Sequence, residues 1–203
     1  MSELFSIQLQ NRQQQGRDGV WLDLPTTTEQ VQAALRQIGI SSDNPQGLFI
    51  SGYFAEEEKR FAIPYNMVLA SNVDELNFLA ARLETLSAGE RAELNAALQA
   101  PQSELFSIGR ITDFPENVDY YVHLPDVHGP AQLGDYYLNR SGMVDMPEEW
   151  KGGIDTAQFG RYVAQQEQGV FTEYGYLVKS GDEWQKVYED QPVPEEYRVL
   201  SFP

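Results

Sequence analysis

The sequence predicts an α+β protein built from three successive segments. Two alternating apolar runs near the start indicate strands, two apolar stripes at helical spacing in the middle indicate helices, and mixed patterns return afterwards. The predicted domains are residues 1–70 (mixed α/β), 71–110 (small and helical) and 111–203 (mixed α/β and acidic, with a tail). A chain of 203 residues is long enough for one large core or for two to three small ones.

Residues 1–70 are expected to form three strands and one helix. Alternation of apolar with polar residues, or a short apolar run, predicts strands at residues 5–9, 20–24 and 48–54, the first two as an antiparallel pair. Thr26 followed by Glu29 has the form of a capping box, which predicts a helix that ends at Gly39. The charged run 56–60 is predicted to be a solvated turn.

The middle segment carries the clearest helical pattern. An apolar stripe predicts a helix over residues 73–86. A second helix is expected to open at Ser87, with Glu90 completing a capping box, and to close before Pro101. A third, short helix is expected through residues 105–108.

Residues 111–203 return to mixed structure. The patterns predict a strand at 118–124 and helices at 131–139 and 156–166. The runs 169–179 and 184–188 predict a closing hairpin that turns at residues 180–182. After Asp190 the sequence is expected to continue as an extended tail.

Negative charge is concentrated in the last segment. The formal net charge is −17, and residues 111–203 hold seventeen acidic and six basic residues, which gives −11. Between Ile111 and Asn139 there are five carboxylates and no Lys or Arg. Charge of this density opposes compaction, so it indicates a need for solubility, for electrostatic steering or for a strongly basic partner.

Several classes of function are disfavoured by composition. Direct nucleic-acid binding is not expected, because Lys59 and Arg60 form the only basic cluster. The lack of cysteine removes disulfides, thiolate metal sites and cysteine nucleophiles. Neither a secretory signal pattern nor an apolar stretch of the ~20 residues that a membrane span requires is present, so we expect a cytoplasmic protein without membrane contact.

Catalytic chemistry finds little support. The two histidines, His123 and His128, lie near Asp119 and Asp126, but their spacing matches no standard metal signature, and two surface loop histidines are expected instead. Adjacent acids do not face each other across a cleft as glycosidic hydrolysis requires. We therefore predict no catalytic, cofactor or metal site, and no enzyme.

Six blocks, taken together in order and spacing, resemble the ArdA antirestriction family. They are GVWLDLP at 19–25, ISGY at 50–53, VDELNFLA at 73–80, LGDYY at 133–137, IDTAQFGR at 154–161 and FTEYGY at 171–176. The resemblance implies an elongated three-domain protein, a homodimer, that imitates bent duplex DNA. Such proteins are carried by mobile elements and occupy the DNA-binding groove of type I restriction–modification enzymes, at the methyltransferase core. We expect the dimer interface in the C-terminal domain, where Phe159, Tyr162 and Phe171 are candidates.

The residues that would carry this function are acidic. The partner-binding surface that would imitate DNA is predicted to contain Asp113, Glu116, Asp119, Asp126, Asp135, Asp145, Glu148, Glu149, Asp155 and Glu173.

Three alternatives stay open on the residues alone. One is a DNA mimic directed at another DNA-binding protein, such as a nucleoid protein or a repressor. Another is an acidic adaptor whose aromatic surface binds a protein unrelated to DNA. The third is a metal-dependent hydrolase built on Asp119, His123, Asp126 and His128.

Overall fold

The protein combines eight α-helices with two small antiparallel sheets in the part of the chain that the computed structural model describes, residues 4–14, 18–57, 60–101 and 103–203. The predicted α+β class is confirmed. The strands are β1 (Phe5–Asn11), β2 (Val20–Leu24), β3 (Leu48–Phe54), β4 (Tyr121–Leu124), β5 (Val170–Thr172) and β6 (Gly175–Lys179). The helices are α1 (Thr28–Gln37), α2 (Tyr65–Leu69), α3 (Val73–Glu84), α4 (Ala88–Gln99), α5 (Ile108–Asp113), α6 (Pro130–Asn139), α7 (Glu148–Lys151) and α8 (Thr156–Glu167). The predicted turn at 56–60 includes Glu58 and Lys59, which lie outside the described residues.

The chain divides into two compact units, each assembled from separate stretches of sequence. Unit 1 contains Met1–Ser87, Leu105–Glu116 and Gln185–Pro203, and unit 2 contains Ala88–Glu104 and Asn117–Trp184. The division into three domains at residues 1–70, 71–110 and 111–203 stays a prediction.

Unit 1 begins with a three-stranded sheet of order β2-β1-β3, antiparallel throughout. Alternate residues of β1 are buried on one face, and Val31 and Leu35 of α1, a helix that contacts β2, are buried as well. The opposite face carries the polar residues Ser6, Gln8 and Gln10. The predicted antiparallel pair is therefore confirmed, with the apolar face inward as a period of two requires.

The helix cap of α1 differs from the prediction by one residue. Thr27, not Thr26, is the N-cap: its hydroxyl accepts from the Gln30 backbone N–H, and the Gln30 side chain accepts from the Thr27 N–H. The predicted pairing with Glu29 is wrong. The Thr26 backbone N–H is instead held by the Asn77 side chain at 2.7 Å, so the helix starts one residue later.

The helices predicted in the middle segment are present. Helix α3 opens with a capping box between Asn72 and Glu75 and buries the whole apolar stripe of Leu76, Leu79 and Leu83. Helix α4 follows in unit 2. The third helix, α5, starts at Ile108 because the Ser107 side chain caps it, so it lies later in the chain than predicted.

Unit 2 holds the second sheet, of order β4-β6-β5. The predicted closing hairpin is wrong in its pairing: the hairpin lies within residues 169–179, where β5 and β6 pair and Thr172 faces Gly175. Residues 184–188 form no strand among the described residues. The Trp184 ring packs instead edge-to-face on Tyr120, with ring centres 5.1 Å apart.

The segment after Asp190, which was predicted to be an extended tail, packs into unit 1. Val199 is buried, and the Asp74 carboxylate of α3 accepts the backbone N–H groups of Val199 and Leu200, both at 2.7 Å. The Tyr197 ring packs on Phe78 with ring centres 4.7 Å apart. Residues 185–203 therefore complete unit 1.

Candidate acidic partner-binding surface

Helices α6 and α8 of unit 2 touch through their backbones, and this contact sets the scaffold for several predicted acids. A Cβ at Gly160 would lie 1.8 Å from the Pro130 carbonyl oxygen, and one at Gly134 would lie 2.0 Å from the Thr156 carbonyl oxygen. Real Cβ contacts essentially never fall below 3.0 Å. The two glycines therefore permit an approach that no other residue allows.

A shared carboxylate ties the same helices to the sheet. Glu167, at the end of α8, accepts from the Tyr137 hydroxyl of α6 at 2.5 Å and from the Tyr176 hydroxyl of β6 at 3.0 Å. Burial and these bonds raise the pKa of both tyrosines, which keep their protons. Tyr176 belongs to the apolar core with Val127 and Leu133. Hydrogen bonds and apolar packing thus connect α6, α8 and β6, and several acids of this unit lie on or next to these elements.

Eight of the ten predicted carboxylates belong to unit 2, and seven of these are exposed while Asp135 is half-buried. They occupy the turns flanking β4 (Asp119, Asp126), helix α6 (Asp135), the segment before α7 (Asp145), α7 itself (Glu148, Glu149), the N-cap of α8 (Asp155) and the β5–β6 turn (Glu173).

Some of these carboxylates are fixed in place by local hydrogen bonds. Asp155 accepts from the Gln158 backbone N–H at 2.9 Å, as an N-cap does. Asp135 accepts from the side chains of Asn139 and Arg140, both at 2.8 Å, and these bonds lower the pKa of Asp135. Asp135 is therefore charged at neutral pH, and the hydrogen bonds hold both side chains in one orientation.

Basic residues offset only part of this charge. Unit 2 contains fourteen acidic and five basic residues, a net formal charge of −9. Ion pairs within the unit join Arg140 to Asp135, Lys151 to Glu148 and Lys179 to Glu104. Exposed pairs of this kind contribute little stability. The unit therefore presents a strong net negative field.

One acid of unit 2, which the sequence reasoning did not single out, departs from this behaviour. Burial raises the pKa of Glu93 on α4 to about 8, and the neighbouring carboxylates of Glu90 and Asp119 add to the rise. One of its oxygens is buried without a hydrogen-bond partner in the described residues. Glu93 is therefore mostly protonated at neutral pH and does not add to the field.

Two predicted acids lie in unit 1, and one of them is not at the surface. Asp113 is completely buried, and its carboxylate accepts from the backbone N–H groups of Val187, Tyr188 and Glu189 at 3.2, 2.7 and 3.2 Å. It is a structural group, so its inclusion in the partner-binding surface is wrong. Glu116 is exposed and paired with Arg82.

The residues drawn as a metal site are not assembled into one. Among the described residues, no group of three or more His, Cys, Asp or Glu side chains is arranged to hold a metal ion. His123 Nε2 lies 2.7 Å from the Tyr174 carbonyl oxygen, and the His128 backbone N–H donates to Gln132.

Of the helices in the described residues, none has the length and apolar character to cross a membrane.

These features define a class: a strongly acidic α+β protein that displays carboxylates on the helices and turns of its second unit. The family model of the antirestriction protein ArdA matches residues 15–178, well over half of the chain, and the chain belongs to this family. Family members are non-catalytic inhibitors that counter type I restriction enzymes by imitating DNA. The resemblance and the function expected from it are confirmed. No curated protein matches the chain.

Proposed function

We propose that the chain meets the DNA-binding groove of a type I restriction–modification enzyme through the carboxylates of unit 2, and that no single residue dominates the contact. The proposed surface contains Asp119, Asp126, Asp135, Asp145, Glu148, Glu149, Asp155 and Glu173. Glu116, on unit 1, is a separate predicted contact. The observation that carries the proposal is the display of these eight carboxylates on a unit with net charge −9.

The charge of a dimer is adequate for such imitation. Duplex DNA carries one negative charge per ~1.7 Å of axis. Two copies of the chain would hold 34 formal negative charges, since each carries −17. That equals the charge on about 58 Å of duplex, or roughly 17 base pairs.

We also propose the homodimer and the elongated three-domain arrangement that the family resemblance implies. Tyr162, one of the three aromatic residues expected at the dimer interface, supports the first, because its side chain is 60% exposed on α8. Phe171 supports it less, because it packs against the core cluster of unit 2. Analytical ultracentrifugation tests the interface: the wild type should sediment as a dimer, and Tyr162→Ala should shift the equilibrium toward the monomer.

The surface is tested by removing charge without disturbing the fold. A variant with Asp126→Asn, Asp145→Asn, Glu148→Gln and Glu149→Gln changes four exposed side chains. The matched control carries Asp18→Asn, Asp43→Asn, Glu195→Gln and Glu196→Gln, which removes the same charge from exposed positions of unit 1.

We expect the unit 2 variant to inhibit a purified type I enzyme about tenfold less well, from a few tenths of a kcal/mol per charge. The control variant should lose clearly less. Inhibition by wild type should weaken steeply as salt rises, and excess duplex DNA should compete. Equal losses in both variants would show that total charge, and not this surface, is recognised.

In a bacterium that carries a type I restriction system, expression of the chain should raise the survival of unmodified phage. The unit 2 variant should protect less well than its control at equal protein level. Unchanged restriction by the wild type would contradict the function itself.

A further inference from the structure

The outer face of the unit 1 sheet carries two large aromatic side chains that the acidic surface does not explain. Trp21 of β2 is 50% exposed and Phe54 of β3 is 58% exposed. Their ring centres lie 6.4 Å apart at an interplanar angle of 73°, an edge-to-face pair. The two rings are in contact and so form one continuous apolar patch, which is the kind of exposed surface that contact sites use.

The pair is built into the sheet. Strands β2 and β3 flank β1 on opposite sides, so about 10 Å separates them. The Trp21 indole bridges this gap, because its Cη2 atom would lie 3.0 Å from a Cβ at Gly52. Gln8 lies opposite both Trp21 and Gly52 in the register, and its side chain accepts from Ser51 Oγ at 3.0 Å. The missing side chain at Gly52 thus gives the indole its place.

One carboxylate lies on the same sheet face as this aromatic pair, and two more follow Phe54 in the sequence. Asp23 and Phe54 both face Ser6 in the strand register, and Asp23 is exposed. The Ser6 hydroxyl donates to Asp23 Oδ1 at 2.6 Å and holds the carboxylate on the same face. Glu56 and Glu57, two and three residues after Phe54, are also exposed. An anionic polymer such as nucleic acid would be repelled here, whereas a cation is attracted by the carboxylates and by the ring faces.

Other rings of this chain already hold cations. The guanidinium carbons of Arg12, Arg82 and Arg110 lie 5.2, 5.1 and 4.7 Å from the ring centres of Phe49, Tyr188 and Phe106. Phe49 is on the same sheet, opposite Gln10. Within the described part of the chain, Trp21 and Phe54 have no such cation.

We propose that Trp21, Phe54 and Asp23 form a docking site for an arginine or lysine side chain on the surface of a protein partner. The cation would stack on the Trp21 indole while Asp23 neutralises its charge. This inference rests on the proposed function, because the DNA-binding groove of the target enzyme is a surface that presents such side chains. It adds an aromatic contact that DNA itself does not offer in this form.

The experiment uses the full chain and a hexa-arginine peptide as probe. The chain has three tryptophans, so nuclear magnetic resonance resolves three indole N–H signals, and Trp21→Phe assigns the relevant one. We expect this signal to shift saturably with hexa-arginine and not with hexa-citrulline, which has nearly the same shape without the charge. An unmoved Trp21 signal while the peptide binds elsewhere would overturn the proposal.

Matched variants separate this site from general attraction to an acidic protein. Trp21→Leu, Phe54→Leu and Asp23→Asn should each weaken peptide binding about threefold or more, the scale of an exposed cation–π contact. Asp43→Asn removes one exposed charge from the same unit and should change binding less than twofold. Equal effects of Asp23→Asn and Asp43→Asn would overturn the proposal, as would a Trp21 signal that shifts on dilution without peptide, which indicates a second copy as occupant.

Inhibition of the type I enzyme by Trp21→Leu distinguishes the two proposals. A loss of threefold or more, with the far-ultraviolet circular dichroism unchanged, supports docking in the complex. If wild type inhibits and Trp21→Leu inhibits equally well, the docking proposal fails and the proposed function stands. If wild type does not inhibit, the proposed function fails, and the peptide titration still decides whether the site binds a cation.

Discussion

Replacing Gly160 of α8 with alanine should destabilise unit 2. The new Cβ would lie 1.8 Å from the Pro130 carbonyl oxygen, 2.7 Å from the carbonyl carbon and 2.8 Å from the Gly134 nitrogen. Because real Cβ contacts stay above 3.0 Å, α6 and α8 must separate by at least about 1.2 Å. All three contacts are backbone atoms, so no side chain can rotate away.

The size of the effect follows from two opposing contributions. Overpacking of this kind costs about 1–3 kcal/mol, and contact with rigid backbone places it at the upper end. In a helix interior alanine is more favourable than glycine by up to about 1 kcal/mol, which offsets part of this cost. The free energy of unfolding is expected to fall by about 2 kcal/mol. In the structure, Leu133 should pack less tightly and the Tyr137–Glu167 hydrogen bond should lengthen.

Urea denaturation followed by circular dichroism measures this loss. The control is Gly89→Ala in α4, where a Cβ would meet nothing within 4 Å, so its stability should be unchanged or slightly higher. If Gly160→Ala unfolds at the same urea concentration as wild type, the close approach of α6 and α8 is not what the glycines provide, and the reasoning is refuted.

Two further predictions concern buried carboxylates. Because the pKa of Glu93 is raised to about 8 from an ordinary 4.5, the unfolded state loses this proton first, and stability should fall as the pH rises between about 5 and 8. Glu93→Gln cannot ionise and should lack this part of the decline in urea midpoint; identical pH dependence in both proteins would contradict the assignment. Asp113→Ala leaves three backbone N–H groups without their acceptor and should cost at least about 2 kcal/mol. Asp119→Ala, an exposed change, should stay within about 0.5 kcal/mol, and equal losses would count against a structural role for Asp113.

Prediction from the sequence was most accurate for elements whose structure depends on residues close to one another in the chain. The alternation in β1 and β2 and the apolar stripe of α3 each reflect a single period along the chain, and these elements appear where expected. The predicted N-cap of α1 was wrong by one residue because Thr26 and Thr27 have the same side chain. Asn77, which is 51 residues away, binds the Thr26 backbone N–H, and Thr27 becomes the N-cap.

The candidate site was predictable in charge but not in detail. Counting acids located the excess in the later part of the chain, yet nothing local distinguishes buried Asp113 from exposed Asp119. The partners of Asp113 lie 74 to 76 residues further on, and the burial of Glu93 depends on the packing of α4. Alternation in β2 places Trp21 on the same side as Asp23, but its pairing with Phe54 depends on the register of β1 with β2 and β3, which the local pattern does not give.

The division of unit 1 into three separated stretches has a consequence for vectorial synthesis. On the ribosome, Ala88–Glu104 and Asn117–Trp184 emerge completely before Gln185–Pro203 begins to appear. All of unit 2 is therefore available for folding before unit 1 is complete. Until Val199 and Leu200 are synthesised, the Asp74 carboxylate of α3 lacks the two backbone N–H groups that it binds in the folded protein. A nascent chain stalled before residue 185 would lack Tyr188 and Tyr197, the two rings that pack on Phe78, and would leave unit 1 incomplete.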